Sequence, residues 1–122
     1  MSVSIKLKGV KGLARAFRNA SGLVSDKIDK AIAKNATEMV ATAKSLAPRD
    51  DGELEASIGS AKIENGYRVE ATAPHAGFVE WGTRKMAAKP YFFVSYRLNK
   101  KRFRSRTRRA VRAAIKEAGL SQ

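Results

Sequence analysis

Separate runs of helix-like and strand-like periodicity predict an α+β protein for this 122-residue chain. Three observations carry that reading. Apolar residues alternate at the N-terminus, a long apolar stripe recurs at helical spacing between Ile28 and Leu46, and Asn65-Gly66 separates two apolar runs. The length suits one domain over 1–122, long enough to bury a modest core.

Taken in order, Val3, Ile5 and Leu7 alternate with Ser4, Lys6 and Lys8, the period of a half-buried strand that Gly9 ends. Val10, Leu13, Ala14 and Phe17 fit a short helix over Val10–Ala20, broken by Ser21-Gly22. Ile28, Ile32, Ala36, Met39, Val40, Ala43 and Leu46 define one face of a longer helix. Ser25 is its expected N-cap, with Asp26 and Asp29 at the positive end of the dipole, and Pro48 stops it. Arg49-Asp50-Asp51-Gly52 reads as a turn.

Strands are expected over Ser57–Ile63 and Tyr67–Ala73. A three-residue loop, Glu64-Asn65-Gly66, would pair Ile63 with Tyr67 and Ala61 with Val69, keeping apolar side chains on one face. This expectation puts Gly66 in a left-handed bulge. Phe78–Trp81 fits a short strand or a turn of helix, and 84–90 an exposed loop or arm. From Pro90 onward, Phe92, Tyr96, Phe103, Ala110, Val111, Ala114, Ile115 and Ala118 suggest helix, with Gly119 as its stop. The polar run Asn99–Arg102 is a candidate interruption. The basic surplus falls on the helical segment 97–122.

Composition excludes several classes. No stretch approaches the roughly 18 consecutive apolar residues of a membrane-spanning helix, and the N-terminus shows no secretory signal. Without cysteine, disulfides and thiolate zinc sites are excluded. The net charge is +14 and is unevenly spread: thirteen basic residues face one acidic residue, Glu117, from Arg84 onward. A solubilising surface is the plain reading, but so dense a run repels itself and points to a polyanionic or acidic partner. Nucleic acid, an acidic protein and membrane lipid all qualify on charge alone.

No residue set carries catalytic chemistry. His75 stands alone beside Pro74 and Ala76, so a structural or surface role outweighs a catalytic one. The carboxylates Asp50, Asp51, Glu53 and Glu55 lack calcium-loop spacing and read as solvent-facing turn residues; a hydrolase built on them is remote. No metal ligand set, cofactor motif or small-molecule site emerges. Lys100, Lys101, Arg102, Arg104, Arg106, Arg108 and Arg109 surround Phe103 and could neutralise phosphates. That signal is generic, and on a helix its cations would point in several directions. A stand-alone nucleic-acid-binding protein is therefore the alternative reading.

Specific in combination are Ala47-Pro48-Arg49-Asp50-Asp51-Gly52-Glu53-Leu54-Glu55-Ala56-Ser57-Ile58, then Ala76-Gly77-Phe78-Val79-Glu80-Trp81-Gly82-Thr83, then Lys89-Pro90-Tyr91-Phe92-Phe93. This order resembles the gene product ten-like neck or tail-completion family of siphophages, the long-tailed phages and their prophages. The family pattern runs roughly AP-x-DTG-x-L-x-x-SI, then YA-x-x-VE-(aromatic)-GT, then P-x-PF(L/F). Asp51 stands where threonine is usual and His75 where tyrosine is usual. The resemblance implies a long helix packed on an antiparallel sheet, and a structural role without catalysis or cofactor. It also implies copies forming a homo-oligomeric ring that joins head-completion proteins to the tail terminator, in a virion assembled from protein made in the host cytoplasm.

The motif residues Pro48, Gly52, Leu54, Ser57, Phe78, Val79, Glu80, Trp81, Gly82, Thr83, Pro90 and Phe92 are expected to be structural. Gly52 and Gly82 suit turns that a Cβ would resist. Leu54, Ile58, Phe78 and Trp81 are expected to bury apolar surface. Glu80 has two readings, a buried or interfacial carboxylate paired with an arginine, or a solvent-facing side chain. Arg84, Lys85 and Lys89, with Lys100, Lys101, Arg102, Arg104, Arg106, Arg108, Arg109 and Arg112, are the expected contacts to acidic neighbouring rings or, in passing, to phage DNA. Acidic protein is preferred, because tightly held DNA would hinder ejection.

Overall fold

The computed structural model describes residues 2–8, 22–49, 52–64 and 66–117. The expected short helix at Val10–Ala20, the Asp50-Asp51 turn residues and the Gly119 stop lie outside the described residues. The elements run β1 (Val3–Lys8), α1 (Gly22–Leu46), α2 (Glu53–Ser57), β2 (Ile58–Ile63), β3 (Gly66–Ala71), α3 (Ala76–Trp81) and α4 (Phe92–Glu117). The α+β class holds.

The three strands form an antiparallel sheet in the order β1-β3-β2. Alternation on β1 sends Val3 and Leu7 into the core and leaves Ser4 and Lys6 exposed. Opposite them on β3, Val3 pairs with Ala71 and Ile5 with Val69.

Helix α1 is the centre of the molecule. Its apolar stripe buries Ile28, Ile32, Ala36, Met39 and Ala43 in the cluster that includes Val69, Ala71, Leu54 and Ile58. Full burial of a side chain such as Ile32 or Met39 contributes about 1.5–3 kcal/mol. Its flank packs antiparallel on α4, with Asn35 reaching Thr107 and Thr42 reaching Asn99.

Four local expectations are corrected. Helix α1 is already helical at Gly22, which puts Ser25 inside it and Asp26 and Asp29 beyond its first turn. Ser25 therefore does not cap it, because its backbone already lies within the helix. Second, Glu53–Ser57 is a single helical turn, so β2 begins at Ile58. Gly52 makes this possible by adopting φ 76°, and the Ser57 hydroxyl closes the turn by donating to the Leu54 carbonyl at 2.8 Å.

Third, the hairpin register differs. Ile63 pairs with Gly66, Lys62 with Tyr67 and Ala61 with Arg68. Ile58 opposite Ala71 fixes this alignment by placing both in the core. Further along β2, an edge strand, Ser60, Ala61 and Lys62 are all exposed, so the apolar Ala61 gains nothing from facing inward. Burial at one end outweighs alternation at the other.

Fourth, α4 runs without interruption through Asn99–Arg102. Asn99 is buried and satisfied: its amide donates to the Ser95 carbonyl at 2.8 Å and to the Thr42 hydroxyl at 3.1 Å, and its oxygen accepts from Arg102. A polar run breaks a helix only where its side chains compete for the helix's own backbone groups without tertiary partners.

Candidate functional site

Helix α3 has one inward and one outward face. Ala76, Gly77 and Glu80 are buried, whereas Phe78 is 46% and Trp81 61% exposed. The expectation that Phe78 and Trp81 fill the core is thus overturned. The physical reason is the partner of Glu80, which at 2% exposure takes the inward position that an apolar residue would otherwise hold.

The partner is not an arginine. Glu80 Oε1 accepts the backbone N–H of Tyr91 at 3.1 Å and of Phe92 at 2.8 Å, while Oε2 accepts that of Phe93 at 3.4 Å. These are orphan donors at the start of α4, and Tyr91, at the boundary, has no side-chain oxygen placed to cap its own helix. A carboxylate from eleven residues upstream does so, with the dipole favouring its charge. Tyr91 is fully buried and returns the connection by donating its hydroxyl to the Ala76 carbonyl at 3.2 Å. Burial, and then the nearby Glu80 carboxylate, push the Tyr91 hydroxyl well above its ordinary pKa, so it stays a donor.

Gly82 and Thr83 shape the loop that leaves α3. Gly82 adopts φ 80°, and a Cβ there would lie 2.8 Å from the Ala88 amide nitrogen and 3.0 Å from the Met86 carbonyl oxygen. The chain can double back only over a glycine. Thr83 and Met86 exchange backbone hydrogen bonds (2.8 and 3.3 Å), the Thr83 hydroxyl accepts from Lys85 N–H at 3.2 Å, and Lys89 N–H donates to the Val79 carbonyl at 2.8 Å. Arg84 and Lys85 therefore occupy the tip of a stapled turn.

The result is an exposed knob. Phe78, Trp81 and Met86 present apolar surface, Arg84, Lys85 and Lys89 stand exposed on the adjoining loop, and Trp81 rests on Phe93 with ring centroids 5.4 Å apart. Pro90 is exposed behind it, while Phe92 is buried and Val79 half-buried. Elsewhere in the motif set, Leu54 is buried, and Pro48, Gly52 and Ser57 are half-buried at the end of α1 and around α2.

Of the basic residues of α4, Arg106 and Arg102 reach Glu38, while the others, Lys116 among them, do not. Arg106 turns inward, donating to both Glu38 carboxylate oxygens (2.7 and 2.8 Å) and to Asn35 Oδ1 (2.8 Å). Arg102 lies 3.6 Å from Glu38 and donates to Asn99. The Arg106 hydrogen bond holds the Glu38 carboxyl below its ordinary pKa. Lys100, Lys101, Arg104, Arg108, Arg109 and Arg112 are exposed, as is Arg97, which lies outside the residues singled out by sequence. Helical spacing was the signal that could have found it. Phe103, the aromatic inside the basic run, is buried in the core.

His75 is half-buried at the N-terminus of α3 and forms no side-chain cap. Glu55 pairs with Arg49 at 3.4 Å, and Glu53 is exposed. Among the described residues, no three His, Cys, Asp or Glu side chains gather as a metal site, and no helix is long and apolar enough to cross a membrane.

Comparison with known proteins yields one family. The model of the HK97-gp10-like family, described as "Bacteriophage HK97-gp10, putative tail-component", matches residues 11–82. This span runs from before α1 through the whole of α3 and Gly82. No curated protein and no solved structure matches the chain.

Proposed function

The chain belongs to the HK97-gp10-like family of bacteriophage tail components, and from that premise we propose that it is a structural virion protein of the head–tail interface. In this reading it works by assembly and performs no bond-making chemistry. Copies join head-to-tail into a closed ring, a heterologous interface in which two different faces of each subunit meet. The ring sits in the neck, between head-completion proteins and the tail terminator.

The observation that carries this reading is the knob of Phe78, Trp81 and Met86 with Arg84, Lys85 and Lys89. Exposed aromatic and Met side chains are what protein interfaces enrich at their centres, with charge at the rim. The family block supplies the two devices, the Glu80 cap and the Gly82 turn, that hold this surface rigid. Rigidity lowers the entropic cost of docking. The fitting partner is an apolar cleft rimmed by carboxylates on a neighbouring virion protein.

The test is complementation with Phe78→Ala/Trp81→Ala in a phage lacking the gene. Because both side chains are exposed, the purified variant keeps its helical circular dichroism. The expected result is filled heads and free tails that do not join in electron micrographs. Normal yields of infectious particles would overturn the assignment of the knob.

A further inference from the structure

The outward face of α4 is chemically unlike the knob. Arg97, Lys101, Arg104, Arg108 and Arg112 recur at steps of four, three, four and four residues, and all five are exposed. At 1.5 Å rise per residue they form a row about 22 Å long on one side of the helix. No ion pair among the described side chains engages any of them; Glu38 meets Arg106 and Arg102 on the other face of α4. The cations of α4 thus do not scatter evenly. Arg106 turns inward to Glu38 and the exposed Arg102 leans toward it, five align on the row, and Lys100, Arg109 and Lys116 stand on its flanks.

From this row we propose that α4 is a phosphate-backbone contact for duplex DNA, independent of base sequence. Three observations select that occupant. From Lys101 to Arg112 the row is cationic throughout, with the exposed Leu98 and the Trp81–Phe93 pair confined to its N-terminal end, whereas protein interfaces concentrate aromatic and aliphatic residues and exclude charge from their centres. Phe103, the aromatic of the basic run, is buried, so the face offers no platform on which unpaired bases could stack, as single-strand binders require. A straight array of fixed cations matches a rigid polyanion, releasing its condensed counterions on contact. The ridge has neither a pattern of amide side chains nor a recognition-helix geometry for reading bases. Such a contact is weak and screened by salt, so it guides duplex without holding it against ejection.

The experiment is a salt titration of binding between the full-length protein and a 30-base-pair duplex of arbitrary sequence. Five phosphate contacts predict a slope of log affinity against log salt of about −4.5, or about a 500-fold loss between 50 and 200 mM. The variant Arg97→Gln/Lys101→Gln/Arg104→Gln/Arg108→Gln/Arg112→Gln loses most of that slope. The charge-preserving Arg97→Lys/Arg104→Lys/Arg108→Lys/Arg112→Lys keeps it, as does Arg84→Gln/Lys85→Gln/Lys89→Gln on the knob. Absence of binding at 50 mM salt, or equal slopes for the five-Gln variant and the parent, would overturn the proposal. So would polyglutamate binding as tightly as duplex at matched charge, which would mark the ridge as an acidic-protein site.

Discussion

Glu80 does the most at the scale of single residues. Its carboxylate accepts three backbone donors in a buried setting, so Glu80→Ala leaves all three without a partner. The expected loss is about 2–4 kcal/mol of unfolding free energy in urea titration, combining a lost cap with unsatisfied buried donors. Glu80→Gln, retaining one acceptor oxygen, loses less. Equal stability of Glu80→Ala and the parent would contradict the capping role. Sequence offered Glu80 as either arginine-paired or solvent-facing. Its true partners were illegible because they are main-chain N–H groups, which every sequence contains and none advertises.

Two glycines with positive φ differ in what a side chain would meet and in backbone region, Gly52 left-handed helical (ψ −8°) and Gly82 extended (ψ 174°). Gly52 and Gly82 have nearly the same φ, 76° and 80°, but a Cβ meets nothing within 4 Å at Gly52 and backbone atoms at 2.8 and 3.0 Å at Gly82. Gly52→Ala should cost about 1 kcal/mol, the left-handed backbone penalty alone. Gly82→Ala should cost about 2 kcal/mol more, because main-chain atoms of the loop must move and the extended positive-φ backbone there is essentially confined to glycine. Thermal unfolding of the two variants side by side checks the ordering; equal losses would show that the loop yields freely.

Among the elements, the α1–α4 interface is fixed by a polar seam: Asn35, Glu38 and Thr42 on one helix meet Asn99, Arg102, Arg106 and Thr107 on the other. A purely apolar pair of helices could slide by a turn, but this set is satisfied in one alignment. Glu38 has a lowered pKa in the folded state, so its contribution is present above the unfolded carboxylate value of about 4.3. It is lost as pH falls through the lowered folded value. We predict that Glu38→Gln removes part of the acid-side loss of stability, and that the Glu38–Arg106 coupling measured by a double-mutant cycle is about 1 kcal/mol. A pH dependence identical to the parent's between pH 3 and 6 would contradict this.

The elements also show what periodicity can and cannot specify. The alternation of β1 and the apolar stripe of α1 were legible because each has one face that must be covered. The register of β2 was not, because only Ile58 of that edge strand is fully buried and alternation beyond it carries no energy. The short α2 helix was hidden by its length, since five residues hold too few turns for a period. The continuity of α4 through Asn99 depended on Thr42, which lies 57 positions away in sequence.

Across the whole molecule, the α+β class was legible from three patterns, and the motif segments from Ala47 to Phe93, read in order, carried the family resemblance. The two outer surfaces were not. Phe78 and Trp81 read as core in sequence because aromatic residues usually are, and the charge of α4 gave no direction until the helix was continuous. Folded, the chain presents an aromatic, cation-rimmed knob built by the family block and, beginning one turn beyond Phe93, a cationic ridge along α4. The difference in chemistry between the two surfaces fits a component that meets both protein neighbours and a polyanion.

Particles purified by density gradient and labelled with antibody against this chain decide whether it is a component of the virion. The expected result is label confined to the junction of head and tail, with the same small number of copies in every particle. Infectious particles free of the chain, or label scattered over capsid and tail shaft, would contradict it.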